Sequence, residues 1–376
     1  MDDHHSRAAP RGRRAPHCRH PANIEYDAGH FRGDVMSDNY EKARLAAVQA
    51  SPVFLDREAT VAKACRLIEE AADNGANIIG FPEGFIPAFP NWYNWFMPLS
   101  AETLGCNKEL FRNAVEVPGP TVAELGAAAR RTHTFVVVGA NERDKGTMGT
   151  LYNSQLFFAP DGTLVGVHRK LMPTLTERLI HNSGDGSSVR TYPSAFGAVG
   201  ALICGENTNS LARFALLAQQ ERIHVASWPA FVKGQVNFES IDIRVRYHAY
   251  EGRVFVISAA GILDDACLDA MGLNDNQRKT LACRGGHSGI LGPDGNYIAG
   301  PVDDSEQIVY AEADFEKIIE GKFSHDLTGH YNRFDIFTLQ MHVPQREALQ
   351  HIGDRAERSA DLITDEDRAL SRKQST

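Results

Sequence analysis

The chain has 376 residues, of which 43% are hydrophobic and 23% charged, and its formal net charge is −9 at pH 7. This composition is typical of a folded globular protein, and the acidic balance argues against a general nucleic-acid-binding surface. No apolar run reaches the ~20 residues that a bilayer-crossing helix needs, so the sequence also predicts no membrane span.

The six cysteines lie at positions 18, 65, 106, 204, 267 and 283. None of them forms a CxxC pair, and no two have the short spacing of zinc ligands, so the sequence predicts no metal centre. The count is low for the length of the chain. We therefore expect free thiols in the reducing environment of the cytoplasm.

The two ends of the chain differ in composition from the part between them. Residues 1–38 are rich in arginine and histidine and almost lack apolar periodicity, which predicts a disordered N-terminal extension. A translation start at Met36 and a basic arm for an acidic partner are the alternatives. Residues 337–376 are polar and charged and predict a C-terminal tail. The part between these segments is expected to form one domain.

The first half of this domain alternates strands and helices. An apolar run at residues 44–50 predicts a buried strand, and a helical stretch then begins at Asp56 and stops at Gly75. A strand at residues 77–81, a helix at 121–131 and a strand at 135–139 follow. The order β-α-β-α-β is typical of a layered α/β protein.

The second half adds hairpins to this pattern. Asp-Gly turns at residues 161–162 and 294–295 separate apolar runs, which predicts two β-hairpins. Between them we expect strands at residues 198–203, 224–227 and 254–259, with helices at about 208–220 and 240–252, and the last strand lies at 308–313. Mixed strands of this kind predict two sheets, each covered by helices on one face and packed against the other sheet.

Cys204 differs from the other cysteines in its position. It ends the apolar strand ALIC and precedes Gly205, Glu206 and a helical run. A side chain at such a strand-to-helix turn is exposed at the sheet edge, where backbone N–H groups can stabilise a thiolate. The alternative is a small buried hydrophobe like Cys65, which lies inside the first helix.

Two other strand ends offer a base and a cation. Glu83 follows an apolar strand and a proline, where poor solvation would raise its pKa toward that of a general base. Lys170 follows another strand, and its ammonium group could donate to an oxyanion. Either residue alone could be a solvated loop charge. Together with Cys204, they place three polar groups at strand ends, where α/β sheets collect their sites.

In this order, the three residues resemble the Glu–Lys–Cys triad of the nitrilases, a branch of the carbon–nitrogen hydrolase superfamily. The matching segments are FPEGFIPAFP around Glu83, HRKLMPT around Lys170 and LICGENTN around Cys204. Further matches are NERD at residues 141–144 with LYNS at 151–154, GDGS at 184–187 and GHYNRFD at 329–335. The resemblance covers residues 43–336 and implies a four-layer αββα sandwich over that range.

The resemblance also implies a role for each site residue. Glu83 would be the general base, Lys170 a donor to the developing negative charge, and Cys204 the nucleophile that forms a thioimidate and then a thioester. The supporting roles would be those of Glu142 toward Lys170, of the Gly205 backbone N–H, and of Glu206 in holding the geometry. The implied reaction converts a small-molecule nitrile to its carboxylic acid and ammonia, with no metal or cofactor. The implied assembly is a homodimer or larger homo-oligomer.

Two positions depart from the family's pattern. Gly205 stands where many nitrilases have tryptophan, and Phe334 stands where the last motif usually has proline. Glycine keeps the backbone N–H that the mechanism uses, so the first departure concerns the shape of the pocket and the preferred substrate. The aromatic residues at positions 81–96 could line that pocket, or they could belong to the core or to a subunit interface.

Three other functions stay open at the level of sequence. An amidase of the same superfamily would use the same triad on a carboxamide. A catalytically silent scaffold or binding protein of the same fold is a second alternative. A papain-like cysteine hydrolase is a third, and it would need a histidine base such as His224, His248 or His287.

Overall fold

The computed structural model describes residues 40–232 and 238–344, which lie in one compact unit. The predicted N-terminal extension at residues 1–38 and the tail beyond residue 344 lie outside the described residues. Residues 337–344, the start of the predicted tail, contain no helix or strand. None of the helices in the two described ranges has the length and apolarity that a membrane span requires.

The described part of the chain contains helices and strands in the mixed order that the sequence predicts. The strands are β1 (Ala43–Gln49), β2 (Ile78–Gly80), β3 (Val115–Glu116), β4 (Phe135–Arg143), β5 (Leu151–Phe158), β6 (Leu164–Arg169), β7 (His181–Asn182), β8 (Tyr192–Ser194), β9 (Gly197–Ile203), β10 (Glu221–Trp228), β11 (Phe255–Ala260), β12 (Gly289–Leu291), β13 (Tyr297–Ala299) and β14 (Gln307–Ala313). The α-helices are α1 (Arg57–Asp73), α2 (Ala101–Asn113), α3 (Pro120–Thr132), α4 (Ser210–Ala218), α5 (Phe238–Gly252), α6 (Asp265–Ala270), α7 (Asp275–Arg278) and α8 (Glu316–Ser324).

The strands form two sheets. The order in the first sheet is β14-β1-β2-β4-β5-β6, with β3 beside β4 and β7 beside β5, and the order in the second is β13-β12-β11-β10-β9-β8. Strands β1, β2 and β4 run parallel, as do β9, β10 and β11. The last strand, β14, returns to pair antiparallel with β1. Both predicted hairpins, β5–β6 and β12–β13, are confirmed.

The burial pattern gives four layers. On β4, Val136 packs in a cluster with Ile68 of α1, whereas the next residue, Val137, packs in another cluster with Val225 of β10. Successive side chains of a strand point to opposite faces, so the first sheet is covered by helices on one side and by the second sheet on the other. A third cluster joins the outer face of the second sheet to α5. The predicted αββα sandwich is confirmed.

Local signals account for the elements that the sequence predicts well. The Asp56 side chain accepts a hydrogen bond from Ala59 N at 2.9 Å and caps the start of α1, which ends before Gly75. Helix α2 was not predicted, because Thr103 and Leu110 are its buried residues and no continuous apolar stripe results. Helix α4 begins at Ser210, since a short 3₁₀ turn occupies the residues directly after β9.

Candidate active site

Glu83 lies in the turn after β2 and between the two sheets. Its backbone N–H donates to Trp228 O at 3.2 Å, which ties the turn to β10 of the second sheet. The backbone of Pro82 passes so close to Gly139 of β4 that a Cβ atom there would overlap Pro82 O. This close approach directs the Glu83 side chain into the interior, where it is fully buried.

Lys170 follows β6 and is also fully buried. Its backbone is held on both sides, since Lys170 N donates to Asn153 O and Gly184 N donates to Lys170 O, each at 2.8 Å. The Nζ atom lies 2.7 Å from Glu83 Oε1 and 2.7 Å from Glu177 Oε2. A buried ammonium group needs such anionic partners, because burial alone would deprotonate it.

Two residues of this cluster were not predicted from the sequence. The Asn153 Nδ2 atom donates to Glu83 Oε1 at 2.7 Å and to Glu177 Oε1 at 2.9 Å, so it bridges the two carboxylates. Glu177 also accepts from Thr174 N at 2.7 Å and closes a capping box at the start of a 3₁₀ turn. The spacing Thr-x-x-Glu at residues 174–177 is the sequence signal that indicates this arrangement.

Cys204 begins the 3₁₀ turn Cys204–Thr208 directly after β9 and has a φ of 49°. Residues other than glycine rarely adopt this left-handed backbone conformation, and the strain that it causes is often found at functional sites. Cys204, Gly205 and Glu177 face a cavity of about 190 Å³. The other described residues that line it are Phe89, Pro90, Asn91, Tyr93, Asn94, Thr174, Leu175, Thr176, Pro229, Ala230, Phe231, Val232 and Arg244. The aromatic segment thus contributes Phe89 and Tyr93 to the cavity, while Trp92 is fully buried in the core.

The protonation states in this cluster follow from burial and from one cation among several acids. Burial raises the pKa of Glu83 to about 8, although Lys170 opposes this effect. Burial and the Glu83 carboxylate also raise the pKa of Cys204 above its usual range. Burial alone would lower the pKa of Lys170, but the surrounding acids outweigh it and raise that pKa. At neutral pH, the cluster therefore holds a thiol, an ammonium group and a carboxyl group close to its own pKa.

Glu206 links the turn of Cys204 to the loop of Lys170. Its Oε1 atom accepts from Ile203 N and its Oε2 atom from Leu171 N, each at 2.8 Å, and His168 Nε2 lies 2.6 Å from Oε1. Burial alone would raise the pKa of Glu206, but His168 and the two backbone donors lower it, so the carboxylate is ionised. These contacts are those expected of a residue that holds the geometry of the site.

Glu142 contacts Arg169, the residue before Lys170. Its carboxylate accepts from Arg169 Nη2 at 2.6 Å, from Arg169 Nε at 2.9 Å and from Ser154 Oγ at 2.8 Å. Arg169 and Lys170 are consecutive residues at a strand end, and their side chains point in opposite directions. The hydrogen bonds of Glu142 thus hold the neighbour of Lys170, whereas Glu177 contacts Lys170 itself. The supporting role of Glu142 toward Lys170 stays a prediction.

The three histidines considered as a papain-like base have other partners. His224 and His248 each contact the carboxylate of Glu221 at 2.8 Å, and His287 contacts Asp242 at 2.8 Å. Each imidazole thus has a carboxylate neighbour, and none of these contacts involves Cys204. The structure instead brings Glu83 and Lys170 to the same cluster as the thiol.

The sequence matches the family model described as carbon–nitrogen hydrolase over residues 44–323. Named relatives are similar over most of the chain. A nitrilase from Bacillus sp. (strain OxB-1) is 37% identical over 325 residues, which are 85% of this chain and 94% of that protein. An aliphatic nitrilase from Rhodococcus rhodochrous is 36% identical over 329 residues, which are 84% of this chain and 85% of that protein.

The chain belongs to the carbon–nitrogen hydrolase family, in its nitrilase branch. It is therefore a hydrolase of the class that acts on carbon–nitrogen bonds. A solved carbon–nitrogen hydrolase from Helicobacter pylori has the same fold, with a TM-score of 0.61 at 20% identity, and the match covers 76% of this chain and 93% of that one. A nitrilase-superfamily member from Saccharomyces cerevisiae has a TM-score of 0.59 at 21% identity, and the match covers 77% of this chain and 97% of that one.

Proposed function

We propose that this carbon–nitrogen hydrolase is a nitrilase, which converts an organic nitrile to its carboxylic acid and ammonia. The observation that carries the proposal is the contact of Lys170 with both Glu83 and Glu177, beside a strained Cys204 that faces a cavity. The similarity to named nitrilases supports the choice of substrate class. A cavity of about 190 Å³ supports a small molecule as the substrate.

The first chemical step forms a bond between sulfur and the nitrile carbon. Glu83 takes the proton of the Cys204 thiol, and its Oε2 atom has no hydrogen-bond partner among the described residues, whereas Oε1 is held by Lys170 and Asn153. The thiolate attacks the nitrile, and the proton passes to nitrogen, which gives a thioimidate. Lys170 and the Gly205 N–H stabilise the charge that develops on nitrogen, and one such donor contributes roughly 10²–10³ in rate.

Two water molecules complete the reaction. Glu83 activates the first, which adds to the thioimidate carbon and gives a tetrahedral intermediate with sulfur, oxygen and nitrogen on carbon. Protonation of the nitrogen and loss of ammonia leave a thioester. The second water releases the carboxylic acid and restores the Cys204 thiol, so that each turnover consumes two waters and one nitrile. A raised pKa for Glu83 fits both its proton-accepting and its proton-donating steps.

An amidase is the second candidate, because a carboxamide enters the same pathway at the tetrahedral intermediate. The two relatives described above, 37% and 36% identical, are both named nitrilases, and this similarity favours the nitrile. The test is an ammonia-release screen over a panel of nitriles and their matching carboxamides. We expect turnover of at least one nitrile, with none by Cys204→Ser. Turnover of carboxamides alone would overturn the proposal in favour of an amidase.

A second measurement separates an enzyme from a silent protein of the same fold. We expect iodoacetamide to alkylate Cys204 faster than Cys65, because Cys204 faces the cavity and Glu83 can take its proton as the sulfur attacks, whereas Cys65 lies among the buried residues of α1. Glu83→Gln should remove this difference. Equal reactivity of the two thiols in the unmodified protein would contradict a catalytic role for Cys204.

The setting of the enzyme is also a proposal. We infer that the catalytic domain spans residues 43–336, that the enzyme works in the cytoplasm, where its free thiols stay reduced, and that it forms a homodimer or larger homo-oligomer. On α5, Ile243, Tyr247 and Tyr250 share one helix face and are each at least half exposed, which supports a subunit contact there. Light scattering of the purified chain tests the assembly, and a monomer at all concentrations would contradict it.

A further inference from the structure

A second buried polar cluster lies beside the nucleophile turn, and the mechanism does not use it. It consists of Asn207, Glu221, His224 and His248. Glu221 Oε1 lies 2.8 Å from His224 Nδ1, Glu221 Oε2 lies 2.8 Å from His248 Nε2, and His224 Nε2 lies 2.9 Å from Asn207 Oδ1. The two imidazole rings are 4.0 Å apart between centroids, and all four residues are buried.

The backbone around the cluster is shaped to admit it. Residues three apart on a regular strand point to opposite faces, yet Glu221 and His224 of β10 meet, because the pairing of β10 with β9 shifts register between Glu221 and Ile223. On β9, Gly200 leaves the space that the Glu221 carboxylate fills, since a Cβ atom there would overlap Glu221 Oε1. The register shift in β10 and the glycine in β9 thus both make room for the Glu221 carboxylate.

The hydrogen bonds of Asn207 determine which way its amide points. The Nδ2 group donates to Leu202 O and to Cys204 O, each at 3.1 Å. The opposite orientation would place the amide oxygen against two carbonyl oxygens. Oδ1 therefore faces His224 Nε2 as an acceptor, and that nitrogen must carry a proton.

The other side of the His224 ring gives the same result. Nδ1 faces the Glu221 carboxylate, an acceptor, so that the hydrogen bonds of both ring nitrogens call for a donor on His224. Burial alone would raise the pKa of Glu221, but His224 and His248 lower it to about 2. Burial and the neighbouring His224 lower the pKa of His248 to about 4, so His248 is neutral and donates through Nε2. Arg213 of α4 is a further charged group at the cluster, and its Nη1 donates to Asn207 O at 3.1 Å.

We propose that Asn207, His224, Glu221 and His248 form a positioning network for the nucleophile, in which a doubly protonated His224 fixes the Asn207 amide and, through it, the backbone carbonyl of Cys204. None of these residues touches the reacting atoms in this proposal. The Cys204 carbonyl belongs to the same peptide unit as the Gly205 N–H. Holding that carbonyl therefore orients the Gly205 N–H and the strained φ of Cys204 together.

The proposed protonation of His224 and His248 is tested on the unmodified protein. Neutron diffraction from deuterium-exchanged crystals locates deuterons on ring nitrogens directly. We expect deuterons on both Nδ1 and Nε2 of His224 and on Nε2 alone of His248. A single deuteron on His224 would overturn the proposal. Metal analysis of the same preparation is the second arm, because a stoichiometric bound metal ion would require an unprotonated ligand nitrogen and would replace the network by a metal centre.

The positioning role is tested with Asn207→Ala and with His224→Gln, which keeps one donor. For Asn207→Ala we expect kcat to fall by about 10–100-fold with KM changed by less than about 3-fold, since a misplacement of about 1 Å can cost 10²-fold. The fall in kcat should be smaller for His224→Gln than for Asn207→Ala. The double variant should lose no more than Asn207→Ala alone, because the two residues act in one chain. Multiplied losses, or an unchanged kcat in folded Asn207→Ala, would overturn the proposal.

A matched control separates positioning from general stability. His287→Gln removes an imidazole that also lies 2.8 Å from a carboxylate, that of Asp242, and we expect its kcat to be unchanged. The measurement of kcat rests on the proposed nitrilase activity. The measurement of the rate at which iodoacetamide alkylates Cys204 does not depend on that activity. If no substrate is turned over, a slower alkylation in Asn207→Ala than in His287→Gln still supports the network, and equal rates contradict it.

Discussion

The Nζ atom of Lys170 lies 2.7 Å from Oε1 of Glu83, and both side chains are fully buried. The same ammonium group also contacts Glu177, and the Cys204 thiol lies in the field of all three. One buried cation thus serves three acids, which cannot all be ionised at once without a net negative charge in the interior. Burial alone would raise the pKa of Glu177, but Lys170 lowers it, so these two form the ion pair, and the proposed mechanism moves a proton between Cys204 and Glu83.

The two carboxylates that contact Lys170 should respond differently to removal of their charge. Glu83→Gln removes the base, and we expect kcat to fall by about 10²–10⁴-fold, the usual contribution of a general base. Glu177→Gln leaves the base in place but weakens the hold on Lys170, so its loss should be smaller. Steady-state kinetics on one substrate, with circular dichroism as the check on folding, compares them. A larger loss in Glu177→Gln than in Glu83→Gln would assign the base to Glu177.

The pH dependence of kcat/KM should report the ionisation of the Glu83–Cys204 pair. Glu83 accepts a proton only as the carboxylate, and burial raises its pKa to about 8. We therefore expect kcat/KM to rise as the pH increases toward about 8 and to level off above it, with an apparent pKa that belongs to the coupled groups. A profile from pH 5 to 10 measures this. If kcat/KM were already constant between pH 5 and 7, the raised pKa of Glu83 would be refuted.

The sequence predicts those site residues that end an apolar run. Glu83, Lys170 and Cys204 each follow a strand, and a polar side chain at such a point is visible in the pattern without knowledge of the fold. Asn153 and Glu177 are not visible in this way. Asn153 lies within β5 and not at its end. Glu177 has Leu175 and Leu179 as near neighbours in the sequence, but these are 75% and 57% exposed, so the apolar pattern around Glu177 does not follow its burial.

The partner of Glu142 depends on a detail that the sequence does not contain. Whether a carboxylate meets Arg169 or Lys170 is decided by the direction in which each side chain leaves the end of β6, and this direction follows from the pairing of β5 with β6. The buried cluster around Glu221 has the same origin, because it depends on a register shift between β9 and β10. Tertiary pairing, and not local propensity, places these side chains.

Gly205 should determine which nitriles fit the cavity. Among the residues that the structure describes, a Cβ atom at this position would have a single near neighbour, Thr174 Oγ1 at 3.2 Å, and the backbone does not require glycine. We expect Gly205→Ala to fold and to keep kcat for a small aliphatic nitrile within about 10-fold, since one added methyl group is a modest change in packing. Gly205→Trp adds an indole beside the cavity and should raise KM for bulky nitriles at least about 10-fold more than for small ones.

The kinetic comparison for Gly205 uses acetonitrile-sized and aryl nitriles on the same enzyme preparations. Gly205→Ser is the matched control, because it adds a small side chain at the same backbone position. An equal change in KM for both sizes of substrate in Gly205→Trp would show that residue 205 does not face the substrate. A complete loss of kcat for every nitrile in folded Gly205→Ala would instead show that the backbone N–H had been displaced.

The Glu206–His168 pair should make a pH-dependent contribution to stability. Burial alone would lower the pKa of His168, but Glu206 raises it above the ordinary value of 6.5. The contribution of protonated His168 to the free energy of unfolding is therefore complete below pH 6.5 and is lost as the pH rises through the raised pKa. The pKa of Glu206 is lowered below 4.5, so its part is complete above pH 4.5 and is lost on acidification. The two parts coincide between about pH 4.5 and 6.5.

Urea unfolding of Glu206→Gln at a fixed protein concentration measures this contribution. We expect the free energy of unfolding to fall by about 3–5 kcal/mol, because one charge of a buried pair is left without its partner. The deficit should be largest between about pH 4.5 and 6.5 and should shrink on either side. Glu312→Gln is the control, since it removes the exposed ion pair with Lys42 at 2.8 Å and should leave the free energy of unfolding nearly unchanged. A deficit in Glu206→Gln that is constant from pH 4 to 9 would mean that Glu206 and His168 act as neutral hydrogen-bonding groups.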